Sequence, residues 1–464
     1  MLAICGVAVV GLLVAVAVVL RADDGYPDEW DERVAPLVDF VEDERGLAFE
    51  HPVTVEFLTE DEYAAQSQVD EGALTDLDRE MFDESASVLQ ALGLVPPGTD
   101  LLDTSNAMME SGTLAFYDPW TETVTVRGTE MSPALEVTLV HELVHVAQDQ
   151  AFDLEAALED DSVGAYEAHH AMVEGDASRI DQAYLLTMTT ADQDAYWDES
   201  MGEWDDAEEG LAEVPGAYQA MFAAPYALGQ PLVELIADQG GNDAVDAAFV
   251  DPPASTEHLF HPLSYFDGDA PVEVDQPDVP SGADRFGEAS ELGAITLFVM
   301  LSDRIDIVTA LDATDGWGGD MSVSFHDGDR TCVRTDLVGD SPADTEEILV
   351  ALQMWAGAGP AGAATVSLDG DLVALEACIP PDGDDPAGST GGAFDALGMV
   401  AARSQVTVMA AVEDGVDLVD AFAVGDCFVR TLPPEAMAAS SGMEEPSAEV
   451  FDQIDSTMES CRAE

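Results

Sequence analysis

Residues 132–153 read SPALEVTLVHELVHVAQDQAFD. Ser132 is a good N-cap and Pro133 suits the first helical position. No Gly or Pro interrupts the chain before Asp153, so the stretch predicts a helix of about five turns. Within it HELVH places His141 and His145 four residues apart on one face, where two imidazoles can hold one Zn²⁺. Glu142 stands beside them, placed to take a proton from water on that ion. Leu135, Leu139, Leu143 and Val146 form an apolar stripe next to the histidines, and Val137, Val140 and Val144 cover much of the rest. A helix apolar on most sides belongs in a core. A buried structural helix has little reason to carry two His and a Glu that each need a partner.

The flanking segments are read against this helix. Ahead of it, TLAFY at 113–117, a turn at Asp118 and Pro119, and TETVTVRG predict a hairpin just before the HExxH helix, an order that resembles zincin folds, where an edge strand beside the metal can pair with an extended peptide. Upstream, PVTVEFLTE predicts a strand, residues 60–93 a helix, and Val34, Leu37, Val38 and Val41 another helix. After it, Asp161 to Met188 predicts a second long helix with Tyr166, His170 and Glu174 spaced by four. Zinc held by two His needs a third protein ligand and an open position. Glu174, 29 residues after His145, is the leading candidate, with His170 or His169 next. Tyr226 in AAPYALG and His258 and His261 in STEHLFHP are candidates to steady an oxyanion.

Residues 268–284 are rich in Pro, Gly and Asp and predict a linker or long loop. Beyond it come a helix over GEASELGAITLFVML, a pair of strands from GWGGD onward, a helix over 343–357, a hairpin around Asp369 and Gly370, and a last helix from about 394 to 412. The expected fold class is α+β, with a zincin-like domain at 21–267 and a disulfide-containing α+β domain at 285–464. Residues 1–20 carry no charged side chain and are just long enough to cross a bilayer. They read as a membrane anchor or a signal segment, the anchor being favoured because no basic residue precedes the apolar run. The rest of the chain is then at the cell surface or secreted. Cys5 lies in the apolar run after the bulky Ile4, which argues against lipid modification. Cys332, Cys378, Cys427 and Cys461 suggest two disulfides, with sequential pairing simplest and a Cys₄ zinc site the weaker alternative.

The 464 residues include 96 Asp plus Glu against 13 Arg and no Lys, a net charge of −83. At molar salt the screening length falls to roughly 3 Å, which removes most of the repulsion that would otherwise open the fold. The acidity is spread over every segment and reads as adaptation to high salt, resembling proteins of salt-in halophiles. With no basic patch to meet phosphates, nucleic-acid binding is excluded.

HELVHVAQDQ followed by AMVEGDAS resembles the gluzincin, thermolysin-like branch of HExxH zinc metallopeptidases. The metzincin pattern is absent, since Gln148 and Ala151 stand where its Gly and third His would be. The block FYDPWTETVTVRG, HELVHVAQDQAFDL, VEGDA, PYALG, STEHLFHP and GWGGD, roughly residues 50–325, is similar to haloarchaeal surface proteins with a gluzincin-type core. The resemblance implies His141, His145 and Glu174 as zinc ligands, Glu142 as general base and a peptide or protein as substrate. Thermolysin-type members carry Asp four residues after the ligand Glu, to orient the first His. Here Ser178 stands there, and Asp176 or Asp149 is the expected substitute. The alternative is a non-catalytic surface protein that keeps the fold with structural zinc.

The charge balance makes one prediction. Moving the protein from molar KCl to dilute buffer should lower its thermal midpoint steeply and abolish its helical circular dichroism, whereas added sucrose at the same low ionic strength should restore little.

Overall fold

The computed structural model describes residues 25–69, 72, 74–112, 114–154, 163–380, 392–433, 436 and 447–463. The apolar run at 1–20 and Cys5 lie outside them. The chain is a mixed α+β structure, 60% helix with two sheets. Its first half runs α1 (Ala35–Arg45), β1 (Thr54–Leu58), α2 (Glu60–Ser67), α3 (Asp76–Ala91), α4 (Leu101–Gly112), β2 (Ala115–Asp118), β3 (Thr123–Arg127), α5 (Pro133–Phe152), α6 (Val163–Thr187), α7 (Thr190–Leu211), α8 (Gly216–Gly240) and α9 (Asn242–Val250). The second half holds two short helices, α10 (Glu257–Phe260) and α11 (Pro262–Asp267), then β4 (Asp284–Ser290), α12 (Gly293–Ser302), α13 (Ile307–Asp315), β5 (Trp317–Asp327), β6 (Arg330–Gly339), α14 (Pro342–Ala358), β7 (Ala364–Asp369), β8 (Leu372–Cys378), α15 (Gly392–Val408), α16 (Leu418–Thr431) and α17 (Ala448–Cys461).

Helix α5 starts as its sequence dictates. The Ser132 hydroxyl accepts from Leu135 N, Pro133 opens the helix, and Asp153 ends it in the left-handed region at φ 56°. The region 60–93 is two helices and not one, because Thr59 and Thr75 each build a capping box and so begin a helix of their own. The stretch GEASELGAITLFVML, expected as one helix, is instead the end of β4 followed by α12. Helices α7, α8 and α9 fill the stretch 189–254, to which periodicity assigned no element. Helix α8 carries Pro225 and Pro231 inside it, which hid it from a rule that ends helices at proline. Helix α15 is not the last, since α16 and α17 follow it.

The smaller sheet has the order β1-β3-β2, with β1 parallel and β2 antiparallel to β3, so β2 is an edge strand. The larger sheet is antiparallel with the order β4-β5-β6-β8-β7. Cys332 pairs with Cys378 and Cys427 with Cys461, the sequential pairing, which leaves these four thiols unable to bind metal. Two disulfides are in keeping with an oxidising environment.

Two apolar cores meet at α5 and α6. One gathers α1, the small sheet, the buried face of α5, and Ala177 and Ile180 of α6. The larger one runs from Ala86 to Ala436 and takes in α8, α12 and the inner face of the large sheet, so residues on both sides of 268–284 share it. Among the described residues, α8 alone is long and apolar enough to cross a membrane, but most of it is buried inside the protein.

Helices α6 and α8 approach backbone to backbone. A Cβ at Gly175 would run into the Gly229 backbone, and one at Gly229 into the Ala171 carbonyl. Ala ordinarily favours a helix over Gly by about 1 kcal/mol. At this crossing the clash outweighs that gain, because backbone atoms cannot turn aside as a side chain can. Gly229→Ala is therefore expected to destabilise by about 1–3 kcal/mol, the usual cost of overpacking, read from denaturant midpoints in molar KCl.

Candidate metal centre

Helix α5 supplies His141 and His145, with ring centroids 4.7 Å apart and planes at 85°. Helix α6 crosses it and brings Glu174 between them. Glu174 Oε2 lies 3.1 Å from His141 Nε2 and 3.4 Å from His145 Nε2. The three donor atoms all fall within 4.8 Å of one another, so the group could hold a metal ion. Tetrahedral bonds of about 2.0–2.2 Å separate neighbouring ligand atoms by roughly 3.3–3.6 Å, close to the spacing found.

The outer hydrogen bonds settle which face of each ring is left for an ion. Gln148 Nε2 donates to the Val173 carbonyl and to Asp176 Oδ2, each at 3.1 Å, which fixes the amide orientation. Gln148 Oε1 then faces His145 Nδ1 at 3.0 Å, so that nitrogen carries the proton. Asp181 Oδ2 accepts from His141 Nδ1 at 2.9 Å in the same way. When each ring is neutral, its Nε2 lone pair therefore points at Glu174, itself an acceptor. Three acceptors aimed at one point repel each other unless a proton or a metal cation stands there.

Without an ion, protons take up the same role. Burial works against charge on His141, but the Asp181 and Glu174 carboxylates outweigh it and hold its pKa well above 6.5. Burial likewise opposes ionisation of Glu174, and the two histidines overcome it, keeping that carboxylate well below its ordinary range. Glu142 is raised chiefly by burial, eased by His145 and His141. The Tyr117 backbone N–H, on edge strand β2, donates to Glu142 Oε2 at 2.8 Å and ties the carboxylate to the sheet.

Other predicted residues fall in different places. Tyr226 reaches the site from α8. The residue is 40% exposed, yet its hydroxyl turns inward to Glu174, where burial, Glu174 and Glu142 push its pKa well above 10. His170 Nε2 meets the second oxygen of Glu174 at 3.1 Å, and its ring lies against Tyr226. His169 is buried towards Phe249. His258 and His261 are not brought to the cluster. His258 packs on Tyr265, and His261 meets the Phe422 ring edge-on and faces Glu257 at 3.8 Å beside an acidic cavity of about 320 Å³ lined also by Asp269, Asp315 and Asp340.

The expected substitutes for the Asp missing at Ser178 also lie elsewhere. Asp149 accepts from the Tyr117 hydroxyl at 2.7 Å, and Asp176 holds Gln148 and two arginines. The residue on His141 is Asp181, seven positions after Glu174. Two full turns return a side chain to the same helix face almost as well as one, so the signal was present at that spacing. Gln148, three residues after His145, was legible by the same rule.

No known protein family, curated protein or solved structure matches this chain.

Removing an outer-shell acceptor commonly weakens metal binding about 10–100-fold. Asp181→Ala should lose affinity for divalent metal within that range, measured by competition with a chelator in molar KCl. Ser178→Ala should bind as the parent does, because Ser178 holds neither histidine.

Proposed function

We propose that this protein is a zinc metallopeptidase of the gluzincin type that works at high salt on the outer face of the cell membrane. The single observation that carries the reading is the convergence of His141 Nε2, His145 Nε2 and Glu174 Oε2, with Glu142 held beside them by the Tyr117 N–H. Two imidazoles and one carboxylate are a donor set that suits Zn²⁺, and structural zinc sites use four protein ligands where catalytic ones use three. Among the described residues the group has three members. Zn²⁺ bound there would act as a Lewis acid on the scissile carbonyl and lower the pKa of water to about 7.

The remaining chemistry belongs to the chain. Glu142 accepts the proton of the attacking water and delivers it to the leaving amine, a task suited by the rise that burial gives its pKa. The Tyr226 hydroxyl, kept protonated, donates to the oxyanion of the tetrahedral intermediate. His170 engages the second oxygen of Glu174 and so directs the first one inward.

Strand β2 borders the cluster. Arg127 N donates to the Leu114 carbonyl at 2.8 Å, so by antiparallel alternation Ala115 and Tyr117 turn their backbone groups away from β3. Ala115 is fully buried and the Tyr117 N–H is held by Glu142, so the Tyr117 carbonyl is the group of this edge that an extended peptide would meet. The reading as a non-catalytic surface protein gives Glu142 and Tyr226 no task.

Glu142→Gln separates the two readings. It should retain the metal at parental stoichiometry and lose peptide hydrolysis by at least about 10²–10⁴-fold in molar KCl. Full activity in that variant would overturn the general-base assignment, and a parent that binds zinc but cleaves no peptide in a broad library would favour the non-catalytic protein.

A further inference from the structure

We propose that Arg45, in the last turn of α1, is a positioning residue for the metal centre, acting through Asp176 and Gln148 to set the tautomer of His145. The proposal rests on the cluster being a metal site. Arg45 is fully buried, and its Nε donates to Asp176 Oδ2 at 2.6 Å across a sequence separation of 131 residues. Asp176 is equally buried, and the same Oδ2 accepts from Gln148 Nε2. Gln148 in turn presents Oε1 to His145 Nδ1. Each link fixes the orientation of the next, and the last leaves the His145 Nε2 lone pair facing Glu174.

The direction of the amide is what the relay controls. Gln148 has an oxygen and a nitrogen of nearly equal size, and either could face His145. With the amide turned over, its NH₂ would face Nδ1, the ring would carry its proton on Nε2, and that nitrogen would be closed to metal. Two acceptors oppose the turn, the Val173 carbonyl and Asp176. Asp176 stays in place because Arg45 and Arg179 hold it from the other side, Arg179 at 2.9 Å through Oδ1. Arg179 is also tied to Asn242 at 2.8 Å, and Asn242 donates to the Glu44 carbonyl at 2.9 Å. Arg45 Nη2 completes the joint by facing Asp246 at 2.7 Å.

Composition gives the arrangement weight. Only 13 residues of 464 are cationic, all of them Arg. Desolvating a guanidinium costs several kcal/mol, and an apolar residue of similar size in its place is often no less stable. A buried Arg retained in such a chain therefore calls for a reason beyond stability. Here that reason is orientation, since a guanidinium holds a carboxylate in a direction that a methionine cannot.

The test uses the full chain in molar KCl with Arg45→Met, Arg45→Lys, Gln148→Leu and the Arg45→Met/Gln148→Leu double variant. Zinc affinity is read by chelator competition, and the His145 tautomer by ¹⁵N NMR of the metal-free protein at an alkaline pH where the ring is neutral. Arg45→Met should weaken zinc binding by about tenfold, the lower end of the range for outer-shell groups, and should populate the Nε2–H tautomer of His145. Arg45→Lys should fall between it and the parent, and it substitutes for Arg45→Met if that variant does not fold. In the Gln148→Leu background Arg45→Met should cost no further affinity, because the relay is already cut. The relay is overturned if Arg45→Met leaves affinity and tautomer unchanged, or if it costs the same tenfold without Gln148, which is the mark of general loosening. A parent that binds no zinc overturns the metal reading instead, and the tautomer measurement then judges the relay by itself.

Discussion

Three lone-pair acceptors directed at one point inside a protein form an arrangement that only a positive charge can relieve. His141 Nε2, His145 Nε2 and Glu174 Oε2 stand in that relation, and every neighbouring contact maintains it. With an ion in place each ring is neutral and keeps its proton on Nδ1, the nitrogen that Asp181 and Gln148 face. The placement of Asp181 and the amide direction of Gln148 therefore say more about the centre than the HExxH motif does.

That convergence depends on how closely α5 and α6 can be held. Helix α6 is fixed on its far side by α8, with Gly175 against Gly229, and on its near side by Asp176 and Arg179, which tie it to α1 and α9. The two glycines thus set the depth of Glu174, and the arginines set its rotation about the helix axis. Tyr226 sits three residues before Gly229 on α8, so the contact that positions the ligand also delivers the phenol. VEGDA and PYALG, two short and unremarkable pieces of sequence, are the two sides of this one joint.

Much of the site was legible from local spacing. The helix 133–152, its cap, the histidine pair and Glu174 follow from a 3.6-residue period and from which side chains bind metal, whereas Tyr226 was a candidate by residue type alone. The two disulfides followed from an even count of cysteines in order. What local spacing missed was of two kinds. Asp181 and Gln148 sit at helical intervals that a family pattern, with its Asp at the fourth position, drew attention away from. His258 and His261 sit in a motif-like phrase, but the first packs on Tyr265 and the second lines a separate acidic cavity. Arg45 was out of reach altogether, because its partner is 131 residues away and nothing local to α1 announces it. Helix α8 was hidden by prolines that the larger core tolerates, as burial outweighs the loss of a backbone hydrogen bond.

The placement of the few cations explains how such a site survives in concentrated salt. At molar ionic strength an exposed ion pair is largely screened, so an arginine on the surface contributes little there. Within the fold, pairs in contact and out of water keep their strength. Arg45 and Arg403 are both fully buried, and each spans elements far apart in sequence, Arg403 bonding Asp315 at 2.6 Å and the Phe260 carbonyl at 2.7 Å. The surface of this protein thus needs salt to be tolerable, whereas its joints are made where salt does not reach. The same separation applies to the metal centre. Glu174, Gln148 and Asp176 are buried while the two imidazoles and Asp181 are partly exposed, so the groups that aim His145 lie where the counter-ions that quiet the surface do not reach.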